Sequence, residues 1–409
     1  MNLFKDLGLS PGLLTAIEKL GFDKPTQIQA ESIPAIMSGK DVIGESATGS
    51  GKTLAFGCGI IEHVEPGKGL QALILTPTRE LAEQVKNALI KFSHQKRLSI
   101  LSIYGGVSIG PQIRDLARAD VVVATPGRLL DHLERRTIDT SKVKLLVLDE
   151  ADRMFDMGFI DDVEKIISVC PTKRQTMFFS ATISSRVKDL ANQHMVDPVS
   201  VYATKMVDPS KLNQIYYNIS KNQKLSLLVN LLKKERAGLV MVFCNTRRIT
   251  DFVVKTLKVN KISAIAIHGG LTQNKRTNTI DMFNNAKVGV LVCTDVAARG
   301  LHIDNVSHVY NYDIPRDSKD YVHRIGRTAR AGENGEVINL LCDYDYDNFS
   351  KVLNDYREFH VKKVENPQLE RIVIARHDER RGNRNNSGRR PFPSGGRGSP
   401  RRGNSYGRR

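Results

Sequence analysis

Apolar runs of four or five residues recur along this chain, separated by stretches in which apolar positions return every three or four residues. The short runs predict strands at Ala72 to Thr76, Val121 to Ala124, Leu145 to Asp149 and Met177 to Ser180, then at Leu239 to Phe243, Ala264 to Ile267, Val288 to Val292 and His308 to Asn311. The stretches between them predict amphipathic helices. Unbroken apolar strands alternating with helices belong to parallel sheets covered on both faces, so the fold class is α/β.

The two series of strands resemble each other. One strand ends Leu75-Thr76-Pro77-Thr78-Arg79 and another Phe243-Cys244-Asn245-Thr246-Arg247, each followed by a helix pattern. Thr78 precedes Thr125 by 47 residues and Thr246 precedes Thr294 by 48. Between them stand Tyr104-Gly105-Gly106 and His268-Gly269-Gly270. Such a repeat predicts one fold used twice, with a shared ligand track along strand ends. The polar stretch Ala203 to Lys211, with Asp208-Pro209-Ser210, reads as the linker.

The first copy alone carries a phosphate loop, Ser46 to Thr53, reading S-A-T-G-S-G-K-T between a strand and a helix start. Gly49 and Gly51 let backbone N–H groups converge on phosphate at a helix N-terminus, Lys52 adds a cation and Thr53 a Mg²⁺-ligating hydroxyl. Ser46 stands where the strict pattern has glycine. Nucleotides in such sheets bind beyond the carboxyl ends of the strands, so the second copy is expected to supply cations toward the phosphoryl group.

Two further clusters carry chemistry. Lys144 to Asp152 is an apolar strand ending in carboxylates; Asp149 at its tip suits a Mg²⁺ shell, and Glu150 can orient or deprotonate water. His323 to Arg330 holds three arginines and a histidine; if it is helical, Arg327 and Arg330 share a face and suit a γ-phosphate. A solvated acidic turn and a solvated basic face are the plainer alternatives.

Composition adds a partner class. The 409 residues carry a formal charge of +17, and residues 380 to 409 contribute ten arginines, seven glycines, no lysine and no acid, with Phe392 and Tyr406 as their aromatics. That segment is expected to be disordered; it serves either solubility or RNA, and arginine interleaved with glycine and aromatics favours RNA. The five cysteines, with no C-x-x-C spacing, read as buried thiols. No apolar run is long enough to span a membrane and no signal peptide is evident, so a cytoplasmic protein is expected.

Asp149-Glu150-Ala151-Asp152 spells D-E-A-D. With A-T-G-S-G-K-T, P-T-R-E-L-A (Pro77 to Ala82), T-P-G-R (Thr125 to Arg128), S-A-T (Ser180 to Thr182) and H-R-I-G-R-T-A-R, the chain resembles the DEAD-box RNA helicases from Phe4 to about residue 360, and its compact body resembles the prokaryotic members. The resemblance implies two tandem RecA-like domains, at 1–205 and 213–368, joined by a 206–212 linker and followed by a disordered basic tail at 369–409. It implies an ATP hydrolase that separates short RNA duplexes and remodels RNA–protein complexes with little sequence preference, using Mg²⁺, with a monomeric core. Arg327 and Arg330 become its arginine fingers.

Residue by residue, it implies nucleotide contacts at Phe4, Phe22, Gln27, Thr48, Gly49, Ser50, Gly51, Lys52, Thr53 and Gly300. Gln27 would read adenine, since an amide donates and accepts together. Asp152, Ser180, Thr182, Asp295 and His323 would couple hydrolysis to strand separation. Pro77, Thr78, Arg79, Gly105, Gly106, Thr125, Gly127 and Arg128 would line the RNA path, continued by Thr246, Gln273, Arg276 and Thr294. His302 stands where the family places a ribose-binding aspartate, with Asp304 two residues on; Ala329 and Gly270 are milder departures. Two rival readings are a DNA translocase of a related class and a non-enzymatic RNA annealer.

Overall fold

The apolar runs form strands buried on both faces. In the first sheet, Ala72 and Ile74 of one strand enter one core while Leu73 and Leu75 enter the opposite one, and Val121/Val123 and Val122/Ala124 divide in the same way. The computed structural model describes residues 3–46, 49–203, 211–234, 238–298, 303, 306–329 and 334–375. Thr48, Gly300, His302, Asp304, Arg330 and the 376–409 segment therefore lie outside the described residues.

Among the described residues, fourteen strands form two seven-stranded sheets. The first holds β1 (Val42–Glu45), β2 (Ala72–Leu75), β3 (Ile100–Ile103), β4 (Val121–Ala124), β5 (Leu145–Asp149), β6 (Gln175–Ser180) and β7 (Val199–Tyr202). The second holds β8 (Leu212–Asn218), β9 (Leu239–Phe243), β10 (Ala264–Ile267), β11 (Val290–Cys293), β12 (Val306–Asn311), β13 (Gly335–Leu341) and β14 (Val361–Val364). The strand orders are β3-β4-β2-β5-β6-β1-β7 and β10-β11-β9-β12-β13-β8-β14. Adding seven to each strand number in the first gives the second, so the repeat read from the sequence is a repeat of topology.

Helices cover both faces of each sheet. The helix Arg79–Phe92 buries Leu81, Ala82, Val85, Leu89 and Phe92, the apolar stripe of a surface helix. Each sheet with its helices is called a lobe below, and residues 1–375 cluster as one compact unit that holds both lobes.

Two boundaries differ from expectation. β8 begins at Leu212, inside the expected linker. Residues 369–375 also belong to the body: Leu369 and Ile372 pack on the second lobe's core, and the buried amides of Asn230 and Asn260 bind the peptide groups of Glu370 and Val373. Each asparagine donates to a carbonyl and accepts from an N–H, as a neighbouring strand would.

Candidate active site

The phosphate loop follows β1 and opens the helix Lys52–His63. Gly49 and Gly51 both have positive φ, 86° and 93°. A Cβ on Gly51 would come within 2.1 Å of Gln29 Nε2. Thr26 and Gln29, which form a capping box on their own helix, reach across to donate to the carbonyls of Ser50 and Gly51 at 2.7 and 3.1 Å. Thus the T-x-I-Q segment braces the loop from below. Ser46 Oγ meets Ser50 Oγ at 2.7 Å, and the buried Lys52 ammonium donates to the Ser46 carbonyl at 2.7 Å. The serine that departs from the strict glycine pattern is therefore built into the loop.

The carboxylates converge on this lysine from β5. Asp149 is buried, and burial pushes its carboxyl up to about 7 against the pull of Lys52. Its Oδ1 is buried with no hydrogen-bond partner among the described residues. A carboxylate oxygen left so, on a chain that also offers the Thr53 hydroxyl, is a donor set that fits a hard divalent cation such as Mg²⁺. Glu150 occupies the left-handed region at φ 55°, ψ 50°, as N-cap of the helix Ala151–Asp156. Burial pushes Asp152 up, but hydrogen bonds with Ser180 and Thr182 hold it below the usual carboxylate range. Thr182 donates to it through both N and Oγ1, at 3.0 and 2.9 Å, and the Asp152 amide donates to Ser180 Oγ at 3.1 Å.

The adenine-side residues divide. Gln27 donates to Glu31 Oε1 at 2.9 Å and reaches the Tyr202 carbonyl at 3.4 Å, at the end of the strand beside the phosphate loop. Phe4 is wholly buried in the first lobe's core, so it offers no ring face to a nucleotide. Phe22 is half-exposed with its ring at an edge to Phe92, 6.5 Å between centroids.

In the second lobe the helix Ser318–Ile325 stops at Gly326, so Arg327 lies in the turn beyond it rather than on a helical face. Arg327 and His323 are buried alongside Asp295, Asp320 and Arg324. Arg324, 1% exposed, is the bolt of this lobe: it binds Asp295 through two nitrogens at 2.5 and 2.7 Å, Asn311 at 3.0 Å, Asn245 at 3.1 Å and the Asp313 carbonyl at 2.6 Å. It stays charged because its fork is filled.

A cleft of about 430 Å³ is lined by both lobes. Of the expected RNA-path residues, Pro77, Thr78, Arg79, Gly105, Thr125, Gly127, Arg128, Gln273 and Arg276 line it. The helices starting at Arg79, Pro126 and Gln273 begin at its wall, and helix N-termini favour phosphate. Gly106 explains its pairing with Gly105: a Cβ there would overlap Arg79 Nη1 at 2.1 Å. In the second lobe the arginine lies against the first glycine instead, a Cβ on Gly269 falling 3.1 Å from Arg247 Nη2. Thr246 caps the helix Arg247–Val259, as Thr78 caps its own, and Thr294 is buried; neither Thr246 nor Thr294 is part of the cleft wall.

Sequence reasoning missed Glu80, Met157, Phe159 and Leu271 in that wall. Glu80 had a signal, standing inside P-T-R-E-L-A one residue after an expected RNA contact. It also missed Lys224, which opens the helix after β8 as Lys52 does after β1; Lys224 Nζ is already bound to Asp345 at 2.7 Å.

The family model described as DEAD/DEAH box helicase matches residues 26–190, and that of the helicase conserved C-terminal domain matches residues 223–332. The DEAD-box ATP-dependent RNA helicase CshA of Bacillus subtilis is 46% identical over 342 residues, 83% of this chain and 69% of that one. Saccharomyces cerevisiae Dbp5 bound to RNA and ADP BeF3 is 29% identical with a TM-score of 0.80, covering 90% of this chain and 96% of that one. A DEAD box protein from Methanococcus jannaschii is 39% identical with a TM-score of 0.54, covering 88% and 98%.

Proposed function

This chain belongs to the DEAD-box helicases, and from that premise we propose how its residues divide the work of an ATP-dependent RNA helicase. The enzyme hydrolyses ATP and acts on RNA. Gly49, Ser50, Gly51 and Lys52, with Thr48, hold the nucleotide phosphates, and Gln27 reads the adenine edge. Thr53 and Asp149 would hold Mg²⁺, which when bound neutralises charge on the β- and γ-phosphates. Glu150 orients the attacking water. Arg327 and Arg330 face the developing charge when the lobes close, and Gly300 completes the nucleotide site.

RNA is held by its backbone, since hydroxyls, arginines and helix N-termini bind phosphate and sugar without reading bases. Closure on ATP bends the bound strand and parts a short duplex; hydrolysis reopens the cleft. The Asp152–Ser180–Thr182 hydrogen bonds supply a stiff link between the acidic turn and the end of β6. The core acts as a monomer in the cytoplasm; no described helix is long and apolar enough to cross a membrane.

The observation that supports this most is the cleft wall drawn from both lobes, to which the first brings Arg79 and Arg128 and the second Gln273 and Arg276. Its test is the RNA dependence of ATP hydrolysis in Arg128→Ala. The RNA concentration for half-maximal turnover should rise about tenfold, as for loss of one well-placed charge-assisted contact; an unchanged RNA dependence would contradict the assignment.

A further inference from the structure

The acidic turn carries a cation that the division of labour above does not use. Arg153 follows the D-E-A-D residues and sits on the first turn of the helix Ala151–Asp156. Its Nη1 donates to Glu150 Oε2 at 2.8 Å, and the two side chains are 1% and 5% exposed. This is not a solvated helix-surface pair, which water would screen to little effect. Nothing else among the described residues hydrogen-bonds the Glu150 carboxylate, so Oε1 makes no such bond there.

We propose that Arg153 is a positioning residue for hydrolysis, holding Glu150 so that its second oxygen meets the attacking water. This rests on the assignment of Glu150 to that water. Three features carry it. First, Glu150 is a non-glycine residue at positive φ, a costly conformation that persists where neighbours hold it. Second, with its backbone so fixed, the glutamate side chain retains three rotatable bonds, and the buried Arg153 bond removes that freedom at one carboxylate oxygen. Third, Arg153 Nη2 is buried without a hydrogen-bond partner among the described residues, so the guanidinium is not placed there to fill its own donors. A structural arginine looks different: Arg324 in the second lobe binds four residues.

Positioning and mere structural support separate in kinetics. A group that aligns water changes kcat and leaves ATP binding alone, whereas a damaged fold moves both. The experiment uses the full chain with saturating RNA and compares wild type, Arg153→Gln, Arg153→Lys, Glu150→Gln and the Glu150→Gln/Arg153→Gln double variant. Arg153→Gln should lower kcat about tenfold or more, with KM for ATP within about twofold. Arg153→Lys should fall between Arg153→Gln and wild type, and the double variant should be no slower than Glu150→Gln. Wild-type kcat in Arg153→Gln, or the same proportional loss with and without the Glu150 carboxylate, would overturn the proposal. Should Arg153→Gln fail to fold, Arg153→Lys decides: a lowered kcat at unchanged KM supports it and a wild-type kcat overturns it. Normal turnover in Glu150→Gln would instead remove the assignment of Glu150 itself.

Discussion

Arg276 of the second lobe places its Nε 2.7 Å from Glu80 Oε1 of the first. Gln273 donates to the same oxygen at 3.0 Å. Both partners of the ion pair are largely buried, at 12% and 9% side-chain exposure, so the bond joins the lobes inside the cleft wall. One carboxylate thereby holds two residues that sequence reasoning had given to RNA alone.

Removing that carboxylate should loosen the contact between the lobes. Breaking a fully buried pair costs about 3–5 kcal/mol, and partial access to water lowers that figure. Glu80→Ala should therefore raise the ATP and RNA concentrations for half-maximal turnover by about tenfold, equivalent to roughly 1.4 kcal/mol. The reversed pair Glu80→Arg/Arg276→Glu should recover part of the loss. Wild-type half-saturation in Glu80→Ala would show that the contact does not contribute to closure.

Gly51→Ala tests the loop. The φ of 93° is strained for alanine, and its Cβ would meet Gln29. The variant should bind a fluorescent ATP analogue at least tenfold more weakly, about 1.4 kcal/mol, with a lowered melting temperature. Retained affinity would mean that the brace from Thr26 and Gln29 is dispensable.

Much of this site was legible because its chemistry depends on short segments. Lys52, Asp149 and the glycine pair stand at strand ends whose apolar runs mark themselves, and the repeat of threonine, arginine and glycine reported a repeat of fold. The central polar strands were not legible. No strand was expected at β8 or β13, whose Gln214 and Asn339 interrupt the apolar pattern; in the fold Tyr321 Oη donates to Gln214, and Asn339 bonds both Asn311 and the Ile215 carbonyl. Tertiary pairing cancels the cost of burial that a sequence window registers. The same holds for Phe4, an isolated aromatic whose burial depends on helices distant from it in sequence, and for Arg324, whose five bonds go to four residues on three segments.

The second lobe's stability should depend on pH through Asp345. Burial pushes its carboxyl up, but Lys224 at 2.7 Å, with Cys342, holds it below the ordinary 3.8. A depressed carboxylate contributes stability that is present above the unfolded value and lost as pH falls through the folded one. Asp345→Asn should therefore unfold more readily than wild type at pH 7, by on the order of 3 kcal/mol, and the difference should shrink below about pH 4. A gap that persists unchanged into acid would show that the charge is not what matters.

Deleting residues 380–409 removes ten positive charges from the chain. Counterion release predicts weaker RNA binding and a shallower dependence of affinity on salt. Equal affinity and equal salt slope in the truncated chain would leave that segment without a part in RNA binding.

The most direct test of the account is ATP turnover measured without nucleic acid, with single-stranded RNA, and with DNA of the same length and sequence. A cleft completed from both lobes and closed by RNA predicts strong stimulation by RNA and little by DNA. Equal stimulation by the two would contradict it.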